Sequence, residues 1–515
     1  MLSSKDMGSA VLVSRGASYL TVQMAVTAVA QVLSFAILAR IITQSEVGIL
    51  AILSLITSLS QAINGAALQQ ASIKYIGEYA EADEGLAVGV FYETLRVSMI
   101  LSIPIAGFIF VESGLVAQVL LGSAAQSWLI RVLAVDVLVF AGVLPVANGA
   151  VLGAKRFKAA AAIGAIGAVF RQCLIILLIL FLKDFIGLVY AWVLSDLVMF
   201  VGFGLYTVRV LGLTKKPFPL RELASFSWPL GIGNLVGFVY NWFDRAILIA
   251  FVSLASLGIY NAALYAFGVL TNVSGAFSNT LLPVYSSITR GGELEAGRRA
   301  TRLASRYVSL VTVPLALGLL ATAKPALTLF VGGSYVGGVV PVMVLSFAFA
   351  LTVFGLALGP MLTALAETRA IMCITGASAL LGIVSAYVLL PFLGIVGASV
   401  ARGIATLASL ALTIFVLERM NAMNIDVEMA WKTLAAGAVM AAVLIATQMA
   451  VYSKFLFPAY VLLGALVYLI VLRALKAVTK HDIELIERYL GARLSFVARL
   501  LGVILVAGEK FTRTD

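Results

Sequence analysis

The chain has 515 residues, 62% of them apolar and 11% charged, with a mean hydropathy of +1.08. Soluble domains are about a quarter charged, so an ordinary soluble protein is excluded, and the apolar content suffices for roughly twelve to sixteen membrane helices. One histidine (His481) and two cysteines (Cys173, Cys373) exclude a zinc or haem centre and a disulfide framework, and both cysteines, set in apolar runs, read as small buried thiols.

In chain order, apolar stretches of spanning length cover 17–39, 47–68, 88–111, 129–151, 159–182, 186–208, 227–252, 257–281, 304–323, 339–363, 370–390, 393–417, 431–452 and 455–472. That makes fourteen spans in an all-α polytopic bundle, and an even number puts both termini on one side. The first stretch follows Lys5 and Arg15 without a small-residue cleavage site, so it reads as a retained helix.

A formal charge of +11 could suggest nucleic acid, but the cations sort by connection. Lys155, Arg156, Lys158, Lys215, Lys216, Arg221, Arg290, Arg298, Arg299, Arg302, Arg306, Arg473 and Lys476 share the side of the N-terminus. The opposite side has isolated cations: Arg40, Arg131, Lys183, Lys324 and Lys454. By the positive-inside rule both termini are cytoplasmic, and the nucleic-acid reading falls away. The outer connections at 183–184 and 253–256 are turns, too short for an enzymatic domain. Segments near 70–87 and 284–303 are amphipathic and read as interfacial. The tail over 481–505 reads as an amphipathic helix on the cytoplasmic leaflet or, equally, as a cap on the bundle.

The sequence repeats itself after about 210 residues. Gln44-Ser-Glu-Val-Gly48-Ile returns as Leu254-Ala-Ser-Leu-Gly258-Ile, and at the same offset Arg96, Pro104 and Gly122 match Arg306, Pro314 and Gly332. Gly142 and Arg156 match Gly355 and Arg369, and Phe185-Ile-Gly187 matches Phe392-Leu-Gly394. The offset covers six spans, so the copies run parallel and meet at a central site, as in transporters. The expected divisions are 1–213 (spans 1–6), 214–420 (spans 7–12), 421–475 (spans 13–14) and the tail 476–515.

Polar residues within spans form helical stripes: Gln23, Thr27, Gln31 and Ser34; Ser54, Thr57, Gln61 and Asn64; Asn234, Asn241 and Arg245; Asn261, Tyr265, Asn272 and Asn279. They fall in spans 1, 2, 7 and 8, which correspond under the repeat, as the lining of a central cleft requires. Interhelical hydrogen bonding is the competing explanation for any one stripe. The charges inside spans are Asp136, Arg171, Asp196, Asp244, Arg245 and Arg402. An arginine at mid-bilayer costs about 2.5–3.5 kcal/mol on insertion scales, so each needs a partner or a wet cavity. Asp244 and Arg245 are adjacent, and at most one of them can face the cleft.

Leu38-Ala-Arg40 followed by Glu46-Val-Gly48-Ile, Tyr75-Ile-Gly-Glu-Tyr79, Trp228-Pro229-Leu230, Phe243-Asp244-Arg245, Leu257-Gly258-Ile-Tyr260, Leu282-Pro283-Val-Tyr285-Ser and Leu393-Gly394-Ile-Val-Gly397-Ala398 resemble the polysaccharide flippases. These belong to the multidrug/oligosaccharidyl-lipid/polysaccharide (MOP) exporter superfamily. The resemblance implies a MATE-like pair of six-helix lobes around a V-shaped cleft lined by spans 1, 2, 7 and 8. It also implies alternating access that moves a polyprenyl (di)phosphate-linked oligosaccharide across a prokaryotic cytoplasmic membrane. The family's cleft cation carries over to Arg245, with Arg40, Arg171 and Arg402 as weaker matches.

On this reading Arg245, Arg171 and Arg402 meet phosphate, because planar guanidinium pairs with phosphate oxygens. Asn241, Asn261, Asn272, Asn279, Tyr240, Tyr265 and Trp242 supply amides, hydroxyls and aromatic faces for sugar, Gln31 and Gln61 are further substrate-binding candidates, and Asp244 or Asp196 orients the head group or couples transport to a cation. No G-x-x-x-x-G-K-[ST] loop occurs, so no nucleotide and no other cofactor is expected, and the drive is a cation gradient or the membrane potential. The expected partners are the glycolipid, membrane lipids and glycan-assembly enzymes, with the protein a monomer. A cation-coupled multidrug exporter is the alternative, since Asp136, Asp196 and Asp244 would suit organic cations; a membrane glycosyltransferase is a remote one.

Overall fold

The computed structural model describes residues 4–290 and 294–478. The helix expected over 481–505 lies outside them. Among the described residues, fourteen helices are long and apolar enough to cross a membrane: Ser18–Ile41, Gln44–Tyr79, Glu84–Val111, Ala124–Gly153, Phe157–Leu182, Ile186–Leu211, Leu220–Phe251, Leu254–Arg290, Glu295–Ala321, Gly333–Ala364, Thr368–Leu393, Ile395–Arg419, Val427–Ala450 and Lys454–Ala474. They are called spans 1–14 below. The chain is a multi-pass membrane protein.

Several helices outrun their apolar stretches, because hydropathy marks the lipid-embedded part while capping and packing set the ends. Span 2 opens on a capping box: Thr43 N donates to Glu46 Oε2 (2.6 Å) and Glu46 N donates to Thr43 Oγ1 (3.3 Å). Span 8 starts the same way, with Ser256 N donating to Ser253 Oγ (3.3 Å). These two caps are 210 residues apart, so the repeated motif is a pair of equivalent helix starts. Pro104 and Pro314 both lie inside their helices, and Gly122 and Gly332 both take positive φ (73° and 107°), a conformation that suits glycine.

The amphipathic segment after residue 70 is not interfacial. It continues span 2 to Tyr79, and Tyr75 and Ile76 are buried in a core with Leu68, Val88, Ala147, Phe218 and Leu223. Its apolar face is satisfied by protein, through a tilted contact of Tyr75 with Phe218 and an edge contact with Phe226. The expectation for the cysteines also fails: Cys173 and Cys373 are exposed.

Two spans break their α geometry part-way. Span 2 passes through a π-turn at Gln61–Gly65 and span 4 through another at Val137–Val143. They pack on each other, since a Cβ on Gly65 would meet Ala141 O at 2.5 Å and Pro145 Cγ at 2.9 Å. Span 10, the repeat partner of span 4, has a 3₁₀ stretch at Val353–Ala357 instead. Single-turn π distortions concentrate at functional sites.

The described residues form two compact units, divided between Asn261 and Ala262. In the first, the linker after span 6 is tied to the start of span 3. Lys216 N donates to Gly85 O (2.8 Å), Lys216 Nζ pairs with Asp83 Oδ2 (2.5 Å), and a Cβ on Gly89 would overlap Lys216 O. Lys155 pairs with Glu81 alongside (2.7 Å). Hydrogen bonding from these lysines holds the carboxyls of Asp83 and Glu81 below the usual range. In the second unit, spans 13 and 14 share a core with spans 9 and 10 through Val313, Leu317, Phe349, Met440 and Tyr468. Gly437 permits the approach, since its Cβ would lie 2.7 Å from Leu317 Cδ1.

Candidate functional site

In the first unit spans 4, 5 and 6 bring three charges together. Arg171 Nη1 donates to both oxygens of Asp196, at 2.9 and 3.1 Å. The guanidinium carbon lies 4.9 Å from the Trp192 ring centre and 5.6 Å from that of Phe140. Phe140 is delivered by the π-turn of span 4, and Trp192 lies one helical turn before Asp196. Asp136, just before the π-turn, is fully buried, in hydrogen-bonding reach of the Asp196 carboxyl and electrostatic reach of Arg171, and its carboxylate oxygens accept from no amide, hydroxyl or guanidinium. One guanidinium therefore serves two buried carboxylates. With both acids ionised the three groups would carry a net charge of −1.

Span 7 holds the second constellation. Side chains of adjacent helical residues diverge, and Asp244 and Arg245 take opposite fates. Asp244 is fully buried, accepting from the Tyr260 hydroxyl and from the Arg245 backbone amide (2.8 Å). Arg245 remains paired with it, Nε lying 3.9 Å from Asp244 Oδ1, while its guanidinium carbon sits 3.5 Å from the Trp242 ring centre and Nη2 donates to Asn241 O (3.0 Å). The Arg245 side chain remains 18% exposed and Arg171 20%, whereas Asp196 is 1% exposed. At both places the reachable charge is the cation and the acid is its buried support.

The other expected residues are spread more widely. In the first unit Gln31 is exposed on span 1, Gln61 is half-buried where the π-turn of span 2 begins, Asn241 is exposed and Asn261 buried. Asn64 belongs to packing: its Nδ2 donates to Ser98 O (3.0 Å) and to the Ser102 hydroxyl, while Ser98 Oγ donates to Gly142 O (2.7 Å). In the second unit Tyr265 is half-buried and Asn272 exposed on span 8, and Arg402 is half-buried on span 12. Sequence reasoning picked out Asp136 as a charge within a span and as an acid that would suit an organic cation, not as a neighbour of Arg171. The rings that flank the arginines sit at helical spacing, Trp192 four residues before Asp196 and Trp242 three before Arg245, and that spacing was the available signal. The π-turn that supplies Phe140 had none.

The family model described as "Polysaccharide biosynthesis protein" matches residues 37–341, more than half of the chain. The chain belongs to that family. No curated protein matches it in sequence. Among solved structures, this family member is similar to the lipid II flippase MurJ in an inward closed conformation (TM-score 0.65, 13% identity, covering 90% of this chain and 97% of that one). It is also similar to an inward-facing multidrug resistance MATE family transporter of the MOP superfamily (TM-score 0.67, 15% identity, 77% and 95%). A third is a MOP superfamily transporter from Pyrococcus furiosus described as having a binding pocket of reversed polarity (TM-score 0.58, 17% identity, 79% and 96%). This family member thus has the MATE-like fold.

Proposed function

We propose that this family member is a flippase that moves polyprenyl-(di)phosphate-linked oligosaccharide across the cytoplasmic membrane by alternating access. One observation carries the reading: in the first unit the acids within the spans (Asp136, Asp196, Asp244) are buried, while the side chains of Arg171 and Arg245 stay 20% and 18% exposed. Accessible cations suit an anionic head group and repel an organic cation. Arg245 binds the diphosphate, pre-oriented by Trp242 and by the Asn241 carbonyl, and Asp244 with Tyr260 fixes the helix face that presents it. Asn241 and Gln31, both exposed, offer hydrogen bonds to sugar, with Gln61, Asn261, Tyr265, Asn272 and Arg402 as further contacts. Asp196, with Arg171 and Asp136, forms the coupling site, where a proton or cation entering and leaving balances the second carboxylate.

The charge asymmetry of the loops supports cytoplasmic termini. The repeat supports lobes at 1–213 and 214–420, with 421–475 and the tail as additions. Glycan-assembly enzymes are the natural partners, and the protein works as a monomer.

The test is transport in proteoliposomes. Arg245→Ala lowers the rate of glycolipid translocation at least tenfold, and Arg245→Lys, a point charge without the planar fork, recovers part of it. A wild-type rate for Arg245→Ala would sink the assignment. Protection of cells against cationic drugs, lost on Asp136→Asn, would favour the multidrug reading instead.

A further inference from the structure

The second unit contains a cavity of about 320 Å³ among spans 8, 10, 11 and 12. That is near the lower end of the roughly 300–1,000 Å³ typical of small-molecule sites. It lies toward the ends of these helices that carry Arg290, Arg369 and Arg419. Six polar side chains line it: Ser278, Asn279, Thr363, Thr375, Ser409 and Thr413. The rest of the wall is leucine, isoleucine, glycine and proline, with no charged side chain.

The wall is built rather than incidental. The hydroxyls of Thr363, Thr375 and Thr413 donate to carbonyls of their own helices, at Gly359 (3.1 Å), Ile371 (2.8 Å) and Ser409 (2.8 Å). With their protons committed, these oxygens have only lone pairs left to offer a ligand. The 3₁₀ stretch at Val353–Ala357 leads directly into Gly359 and Pro360 on the wall. Irregular backbone at membrane depth is tolerated where it is buried in protein or lines a cavity. Thr289 Oγ1 donates to Ala364 O (3.3 Å) and so ties span 8 to the end of span 10 beside the opening.

Charge and polarity select the ligand. A phosphate or an organic cation would lose its hydration here with no counter-charge to replace it. An acyl chain would leave the Ser278, Asn279 and Ser409 side chains against hydrocarbon. A pyranose ring supplies hydroxyl donors to the threonine oxygens and an apolar C–H face to the leucines and isoleucines. We propose that this cavity is a subsite for one uncharged sugar unit of the transported glycan. The proposal rests on the flippase reading and adds to it where the neutral sugar is recognised. On the positive-inside orientation it lies in the cytoplasmic half, where the glycolipid is loaded.

The experiment measures binding to the purified full-length protein in detergent. The probes are polyprenyl-diphosphate oligosaccharide extracted from the producing cells and bare undecaprenyl diphosphate. Combined Thr375→Val, Ser409→Ala and Thr413→Val raise Kd for the glycolipid about tenfold, as loss of one or two neutral hydrogen bonds would. Kd for the bare carrier stays within about twofold. Thr375→Ser with Thr413→Ser, which keep the hydroxyls, bind the glycolipid like wild type. Ser409→Phe, which fills the cavity, gives the same selective loss and serves if the triple variant does not fold. If a folded variant of either kind binds the glycolipid as tightly as wild type, the subsite alone is overturned. If the wild type binds neither probe, the flippase reading falls and the subsite with it. A phospholipid released by Ser409→Phe without change in glycolipid affinity also overturns it.

Discussion

The two copies of the repeated motif touch each other, and that contact can be tested. In the first unit a Cβ on Gly48 would overlap Leu254 O and lie 2.9 Å from the Leu254 carbonyl carbon. A Cβ on Gly258 would overlap Gln44 O and lie 2.9 Å from Gly48 N. Comfortable carbon contacts need about 3.5–4.0 Å. The obstacle in both cases is backbone at the first turn of a capped helix, so it cannot rotate aside like a side chain. Alanine at either position must push the two helix starts apart by roughly an ångström, and overpacking of this kind costs about 1–3 kcal/mol. One separation makes room for both methyl groups, so the costs overlap. The double variant Gly48→Ala/Gly258→Ala is expected to lose about as much as the worse single variant, about 1–3 kcal/mol, rather than the sum. Reversible unfolding of the purified protein in mixed micelles gives the three differences. Single variants as stable as wild type would refute the close approach. A double variant whose loss equals the sum would refute the shared separation.

Three further outcomes follow from the same geometry. Arg171→Ala strands two buried carboxylates and is expected to cost about 3–5 kcal/mol in unfolding experiments; adding Asp136→Asn and Asp196→Asn should recover much of that loss, and a triple variant no more stable than the single one would contradict the shared-cation arrangement. Asn64→Leu removes the donor that serves Ser98 and Ser102 and should cost about 1–3 kcal/mol in the same assay while leaving glycolipid affinity unchanged; a selective loss of affinity would move Asn64 from packing to binding. The third concerns pH. The carboxyl of Asp83 titrates below its ordinary range because Lys216 hydrogen-bonds the charged form, so the attachment of the linker is complete above the ordinary carboxylate pKa and is lost as pH falls through the depressed value. Hydrogen exchange at the Lys216 amide, bonded to Gly85 O, should therefore gain in opening at acid pH after correction for intrinsic rate, and a flat protection factor would show that the lysine pair does not hold it.

The amino-acid sequence by itself determined the membrane class, the number of spans and the repeat. Each follows from a property that accumulates along the chain: hydrocarbon needs about 20 apolar residues to cross, and equivalent caps, prolines and turn glycines recur wherever equivalent helices start or bend. It also located Arg171, Asp196 and Arg245, since charges inside spans are too costly to be idle. Which neighbour each charge takes was a tertiary matter. Whether Asp244 or Arg245 faces inward depends on where Tyr260 arrives from the next helix. Asp136 became a partner of Arg171 only because three helices converge there. The π-turns at Gln61–Gly65 and Val137–Val143 have no periodic signature, because one inserted residue re-aims a helix face without changing its composition. The stripe of span 2 illustrates the same limit: Gln61 and Asn64 are alike in polarity and spacing, yet packing against Ser98 and Ser102 buries Asn64 as a structural bond.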